Sequence, residues 1–259
     1  VEPYINDVGS FASQRNRGNC CDNLQVLGVH TDGGMRDRFI VPARKLHPSS
    51  GGLAMEQLAL VETLAIGCHA VDRCNPTGED HVLIIGAGPI GLSVLEFVKL
   101  TSATSIMMDI NEQRLDFAKN TMGVNHTVHF KGDGSELSAL EELTNGHLPT
   151  IVIDATGNAQ SMSNALNYVA HTGTLVYVGI TMGEVTFPHK LLHAKEMNLL
   201  SSRNALPKDF GRIIQLIEDG QIDTNPWITH RTSFNELPGV FDSYTKPETG
   251  VLKAIVEVQ

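Results

Sequence analysis

Positive charge is scarce in this chain. Nineteen Lys and Arg stand against 29 Asp and Glu in 259 residues, a formal charge of −10. That balance argues against nucleic acid or an anionic membrane surface as partner. The acidic residues are dispersed and read as a solvated surface. Long hydrophobic runs are also missing. None approaches a membrane span, and no secretory signal opens the chain. Cysteine is sparse: Cys20 and Cys21 are adjacent, and Cys68 and Cys74 lie six apart. No disulfide framework follows from that spacing, and a reducing cytoplasm is the expected compartment. There is no internal repeat and no low-complexity tract. The chain opens Val1-Glu2-Pro3 without an initiator Met, and so reads as if it starts inside a domain. Hydrophobic residues make up 41%, ample for a real core, and the length suits one large domain or two smaller ones.

The most informative stretch is His81-Val-Leu-Ile-Ile-Gly-Ala-Gly-Pro-Ile-Gly91. An apolar run ends in Gly86-x-Gly88-x-x-Gly91, and a helix-like segment follows at once. Asp109 closes the next apolar run, 18 residues after Gly91. Strand, glycine turn, helix, strand and acid in this order are the pattern of a dinucleotide-binding site. Gly86 permits the tight turn, Gly88 lets backbone approach a diphosphate, and Gly91 lets helix pack on strand. The helix beginning at Pro89 and Ile90 offers N–H groups and a positive dipole end to phosphate. Asp109 accepts from both ribose hydroxyls and repels a 2′-phosphate, so NAD is expected over NADP. Arg114, five residues later, is a candidate to stack on adenine; a solvated helix arginine fits as well.

From residue 81 onward, strand and helix alternate. Apolar runs occupy 82–86, 105–109, 124–128, 150–154 and 174–179, with a weaker sixth at 197–201. Helix-like segments fill 89–100, 112–121, 135–143 and 158–170. Such alternation predicts βαβ units and a parallel sheet. Gly157 and Gly179 fall where strands end at the sheet's carboxyl edge, so each is a candidate for close approach to the cofactor or a simple loop glycine. Residues 1–50 are rich in Gly, Asn, Asp and Arg, with short β-like pieces such as Phe39-Ile-Val-Pro42. Residues 54–74 read as one long helix, broken near Gly67. Helices are expected at 207–219 and 235–244, and a last strand at 252–258.

These residues together resemble a known family. Asn19-Cys-Cys21, Leu27-Gly-Val-His-Thr-Asp-Gly-Gly34, Val61-Glu-Thr-Leu-Ala-Ile-Gly-Cys-His-Ala70, the glycine motif, Ile153-Asp-Ala-Thr-Gly-Asn158, Ser202-Arg-Asn204 and Ile228-Thr-His-Arg231 carry the likeness. The chain resembles the latter three-quarters of a zinc-type alcohol dehydrogenase, in the medium-chain dehydrogenase/reductase family. Its polyol and sugar-acid branch, which includes the L-galactonate, sorbitol and threonine dehydrogenases, is most similar. The resemblance implies an α/β chain: a Rossmann doubly wound parallel sheet over 63–203, plus a partial GroES-like, mainly β, catalytic domain over 1–62 and 204–259. It implies NAD as cofactor, a small polyol or sugar-acid substrate, and a homo-oligomer, dimer or tetramer. It also implies a zinc ion that acts as a Lewis acid on the substrate oxygen.

The chain departs from that family in two places. Only Glu62 matches a catalytic-zinc position; the Cys-Gly-x-Asp and Gly-His-Glu segments that carry the other ligands do not occur. Zinc is therefore expected in the intact enzyme but not on this chain by itself. Glu62, Cys68 and His69 are a poor substitute, because seven residues at ~1.5 Å rise put Glu62 and His69 roughly 10 Å apart. The positions that match a structural-zinc lobe are Asp7, Ser10, Ser13 and Cys21. One Cys and one Asp cannot close a tetrahedral site, so no structural zinc is expected. His30 is a candidate to bond a substrate hydroxyl or a satisfied loop histidine. Arg203, past the last strand, is a candidate for the cofactor or a substrate carboxylate, or for a surface ion pair. His230 and Arg231 read as structural.

The expected activity is oxidation of a secondary hydroxyl on a polyol or sugar acid to a ketone. Two other readings stand beside it. One is a non-catalytic NAD-binding protein that lacks the metal site. Against it, amputating a barrel leaves open strand edges and apolar surface. The other is a zinc-free quinone-reductase-like enzyme, which Glu62 and the Cys20-Cys21 region disfavour.

Overall fold

The computed structural model describes residues 1–258. The chain divides into two compact units. One is Val1–Ala65 together with the segment from Asn204 onward, and the other is Ile66–Arg203.

The first unit begins with β1 (Tyr4–Ile5), antiparallel to β2 (Gln25–Val26). Between them lies a lobe with one short helix, α1 (Phe11–Gln14), which Ser10 caps through its hydroxyl. The β-like piece expected at 39–42 is not a strand. Pro42 has no amide to give a ladder and instead leads into a 3-10 turn over Ala43–Lys45. Ile40 is left 99% exposed.

The helix expected over 54–74 forms as two, α2 (Met55–Ala59) and α3 (Val61–Cys74). The interruption falls at Leu60 and not at Gly67, through which α3 runs unbroken. Gly67 has another task. A Cβ there would lie 2.2 Å from the Ser93 hydroxyl and 2.4 Å from the Ser93 carbonyl carbon. The Gly67 amide sits 3.1 Å from that hydroxyl, which accepts its N–H. The glycine lets two backbones touch; it does not end a helix.

The second unit alternates strand and helix throughout. In chain order it holds β3 (His81–Ile85), α4 (Pro89–Lys99), β4 (Thr104–Asp109), α5 (Glu112–Asn120), β5 (His126–His129), α6 (Ser135–Leu143), β6 (Ile151–Asp154), α7 (Ala159–Asn164), β7 (Thr174–Tyr177), α8 (His189–Ala194) and β8 (Asn198–Ser201). The six strands are all parallel, in the order β5-β4-β3-β6-β7-β8. Connections run one way from β3 and the other way from β6, so the switch point lies between these two strands. Ligands of open α/β sheets bind outside the carboxyl ends there. The central strands are apolar on both faces because helices cover both: Val82, Leu83, Ile84, Ile106, Met107, Val152 and Ile153 are fully buried. The helix expected over 158–170 is shorter than its pattern. It is α-helical only to Asn164 and tightens to a 3-10 turn over Ala165–Tyr168.

The rest of the first unit holds α9 (Pro207–Glu218), β9 (Ile228–Ser233), α10 (Leu237–Tyr244) and β10 (Lys253–Glu257). Proline at its first turn starts α9, and Phe210, Ile213, Ile214 and Ile217 make its buried stripe. Each such side chain contributes about 1.5–3 kcal/mol on burial. Strand β9 pairs in parallel with β10; its polar sequence gave no sign of a strand.

Candidate functional site

At the carboxyl edge of the parallel sheet the glycine motif forms the turn that its spacing predicts. Gly86 has φ +101°, open to glycine and strained for other residues. Its amide donates to the Met108 carbonyl at 2.8 Å. A Cβ on Gly91 would come within 1.7 Å of the Gly86 carbonyl oxygen, so a side chain there is incompatible with the turn. Gly88 is different: a Cβ there would meet nothing within 4 Å. The space over Gly88 is open, as a cradle for a ligand requires. Gly88 caps α4 without a side-chain hydrogen bond, and Pro89 is its first residue. Leu92 is the first amide of the helix to bond back, to the Gly88 carbonyl. The amides of Ile90 and Gly91 thus lie in the turn that helix geometry leaves without intrahelical acceptors.

Asp109 is folded onto this turn. It is 9% exposed. Its Oδ2 accepts from the Ala87 amide at 2.6 Å, and its Oδ1 from the Asn111 amide at 2.8 Å. A carboxylate offers about four lone-pair sites, so both oxygens keep capacity for a further donor. Asn111 in turn caps α5 by accepting from the Arg114 amide at 3.1 Å. The Arg114 side chain is exposed, as is that of Arg203, two residues past β8.

Asp154, at the end of β6, is a part of this edge that the sequence reading missed. It is fully buried. Burial pushes its carboxyl above the usual range, against the opposing pull of hydrogen bonds from Thr156 and Ser161. The Thr156 amide and hydroxyl and the Ser161 hydroxyl all donate to it, at 2.7–2.9 Å. Its carbonyl accepts from the Val178 and Gly179 amides. One residue therefore ties together the loops after β6 and β7. An acid ending an apolar strand, with Thr two residues on, is the signal for such a turn.

Gly157 and Gly179 meet in that knot. A Cβ on Gly179 would lie 2.3 Å from the Gly157 nitrogen, and one on Gly157, at φ +64°, would lie 2.8 Å from the Ile180 carbonyl oxygen. Both glycines are required by backbone contact, whatever binds beside them. Gly86 joins the same edge, since a Cβ there would sit 3.2 Å from Thr156 Cγ2.

In the other unit, Glu62 lies in the first turn of α3. The buried Tyr4 hydroxyl donates to its Oε1 at 2.5 Å. Burial and the Glu62 carboxylate together raise the Tyr4 hydroxyl far above its ordinary value, which keeps it a donor. The Lys253 ammonium is pushed down by burial and is pulled back up by the charge of Glu62. Tyr4 and Lys253 had no local signal, because both are remote in sequence. Cys68 and His69 are buried, at 0% and 3% exposure. Among the described residues no three His, Cys, Asp or Glu side chains group as metal ligands. A catalytic zinc needs about three protein ligands (alcohol dehydrogenase is among that rule's own examples). Glu62 with a tyrosine and a lysine does not fit that need, and no step is derived through zinc. His30 is exposed and accepts the Val26 amide on Nδ1 at 3.0 Å, which closes the loop after β2.

The four lobe positions converge but bind one another. The Ser10 hydroxyl donates to Ser13 Oγ at 2.9 Å, as does Asn6 Nδ2. The Asp7 amide donates to Cys21 Sγ at 3.4 Å. The hydrogen bond with Ser10 leads the forces holding the buried Cys21 thiol below its ordinary value. Two hydroxyls, one thiol and one carboxylate are a donor set that does not fit structural zinc.

Comparison with known proteins agrees with this architecture. The profile of the family described as zinc-binding dehydrogenase matches residues 89–219. L-galactonate-5-dehydrogenase of Escherichia coli (strain K12) is 32% identical over 256 residues, 99% of this chain and 74% of that protein. L-arabinitol 4-dehydrogenase of Aureobasidium melanogenum is 30% identical over 93% of this chain and 66% of its own length. Among solved structures, a short chain alcohol dehydrogenase (rspB) from E. coli CFT073 complexed with NADH superposes with a TM-score of 0.91. It is 25% identical, over 98% of this chain and 74% of that one. A protein described as a zinc-binding dehydrogenase from Sinorhizobium meliloti 1021, bound to NADP, gives 0.89 at 25% identity over 98% and 74%. With the profile over half of the chain and a 32% identical relative covered to 74%, the chain belongs to the zinc-binding dehydrogenase family, among the zinc-type alcohol-dehydrogenase-like oxidoreductases.

Proposed function

We propose that this chain serves an NAD-dependent oxidation of a secondary hydroxyl on a sugar acid or polyol to a ketone. Relatives that act on L-galactonate and L-arabinitol support the substrate class. The observation that carries the cofactor is the contact of Asp109 Oδ2 with the Ala87 amide, which fixes an acid beside an open glycine turn at the sheet's switch point. Bound NAD would supply the hydride acceptor.

The chain's own residues take the following parts. Gly86, Gly88 and Gly91 shape the turn for a diphosphate, and the α4 terminus at Pro89 and Ile90 presents amides to it. Asp109 accepts from ribose hydroxyls and repels a 2′-phosphate. Arg114 covers the adenine side, while Gly157, Gly179 and Arg203 flank the nicotinamide side. Glu62, fixed by Tyr4, holds the substrate hydroxyl and takes its proton, and His30 bonds a second hydroxyl. Zinc is expected only in the intact enzyme, and Glu62 by itself does not meet its ligand need. No described helix is long and apolar enough to cross a membrane. The acidic balance disfavours nucleic acid and an anionic membrane surface as partners, and a cytoplasmic homo-oligomer enters this reading only through the family resemblance.

Calorimetric titration tests the cofactor assignment. Asp109→Ala should weaken NAD more than tenfold, about 1.4 kcal/mol, while NADP improves. Unchanged NAD affinity would overturn it. A panel of aldonates and polyols, followed by NADH absorbance, tests the substrate class.

A further inference from the structure

Away from the sites above, one pair of side chains has the placement of a chelate. Helix α8 (His189–Ala194) carries a histidine at each end, His189 and His193. Four residues apart, they share one face of the helix. Both are exposed. Their rings lie 6.0 Å apart, centre to centre, and are inclined at 44°. Among the described residues neither imidazole has a hydrogen-bond or ion-pair partner.

Other residues hold the helix in place. Leu191 and Leu192 pack against the hydrophobic core of the sheet. The Leu191 amide donates to the Pro188 carbonyl at 2.9 Å, and the Met197 amide to that of Leu192 at 3.2 Å. Lys195, which ends the helix, turns its ammonium onto the Val169 carbonyl at 2.6 Å. The histidines therefore stand free on an anchored backbone. The helix dipole accounts for a histidine in the last turn, where His193 lies. It disfavours a charged one in the first turn, where His189 lies, so it does not explain the pair.

We infer that His189 and His193 together chelate one divalent ion of the Zn2+, Ni2+ and Cu2+ class, with water at its remaining positions. Imidazole nitrogen suits these metals, whereas Mg2+ takes oxygen ligands. Two imidazoles on one tetrahedral ion, each at about 2.1 Å, set their ring centres about 5 Å apart. Rotation of the two exposed rings closes that gap. Once one imidazole has bound, the second bond is intramolecular. The formal charge of −10 draws cations to the chain. The site shares no residue with Glu62 or the cofactor turn, so it is separate from the zinc expected of the intact enzyme.

Calorimetric titration of the untagged chain with NiCl2 tests it. The parent should take one equivalent, and MgCl2 should bind at least a hundredfold more weakly. His189→Ala and His193→Ala should each weaken nickel at least tenfold. Neither change removes a partnered side chain, so their thermal midpoints in EDTA should equal the parent's. His147→Ala, which removes an exposed histidine after α6, should leave nickel affinity unchanged, as should Glu62→Gln. Nickel should raise the thermal midpoint of the parent but not of the variant lacking both histidines. Absence of nickel binding, parental affinity in either single variant at 189 or 193, a tenfold loss in His147→Ala or Glu62→Gln, or magnesium affinity matching nickel would each overturn the proposal.

Discussion

The sheet edge around Gly86 and the surroundings of the Glu62 carboxylate are built in opposite ways. At the sheet edge, the contacts that matter join residues close in sequence or on neighbouring strands: Asp154 to Thr156 and Ser161, Asn111 to Arg114, Gly86 to Met108. Around Glu62 they span long loops: Tyr4 to Glu62 is separated by 58 residues and Arg231 to Glu56 by 175. The first kind of site is prepared by a local pattern and the second only by the completed fold. The geometry of the sheet edge therefore follows from a motif, whereas that around Glu62 follows from packing.

Substitutions can break that comparison, and they grade from severe to slight. Gly91→Ala pushes a methyl into the Gly86 carbonyl. Overpacking of this severity should cost about 3 kcal/mol, read as a lower urea midpoint, and NAD binding should vanish with it. Asp154→Ala removes the acceptor for three donors. It should cost about 2 kcal/mol and loosen only the sheet edge, visible as faster amide exchange at Val178 and Gly179.

The pH dependence of that residue has a definite sign. Because burial raises the folded carboxyl above its unfolded value, the folded state holds the proton more tightly. Its stabilising contribution is complete below the unfolded carboxylate value and declines as pH rises through the raised one. Asp154→Asn should flatten that part of the stability–pH profile. A profile identical to the parent's would show that another group carries it.

Effects on the packed side should be smaller. Tyr4→Phe removes the donor to Glu62 and should cost about 1 kcal/mol while leaving NAD affinity unchanged. A drop in NAD affinity would show that the contrast between the two sites is wrong. Glu56→Ala, which breaks a surface pair with Arg231, should cost no more than about 0.5 kcal/mol.

The parallel sheet was legible because each strand is a short apolar run and each helix has polar punctuation. Even the weak run at 197–201 became β8, for its neighbour β7 supplies the ladder. Gly67 misled, since a glycine within a helical pattern looks like a break when its partner, Ser93, is unseen. Phe39–Pro42 misled for the converse reason: β-prone residues form no strand without an edge to join. Strand β9 was hidden because Ile228-Thr-His-Arg-Thr-Ser shows little apolar alternation. At the candidate site, Asp109 and the glycines were readable from spacing alone. Tyr4 and Lys253 were not, because nothing near them in sequence announces a shared neighbour.

The close contact of Gly157 with Gly179 has one more result. Two chain segments that touch at their main-chain atoms, with no side chain between them to change rotamer, cannot shift independently. The rim on which a coenzyme would rest is then already shaped before anything arrives, and docking would sacrifice little freedom of motion at this spot.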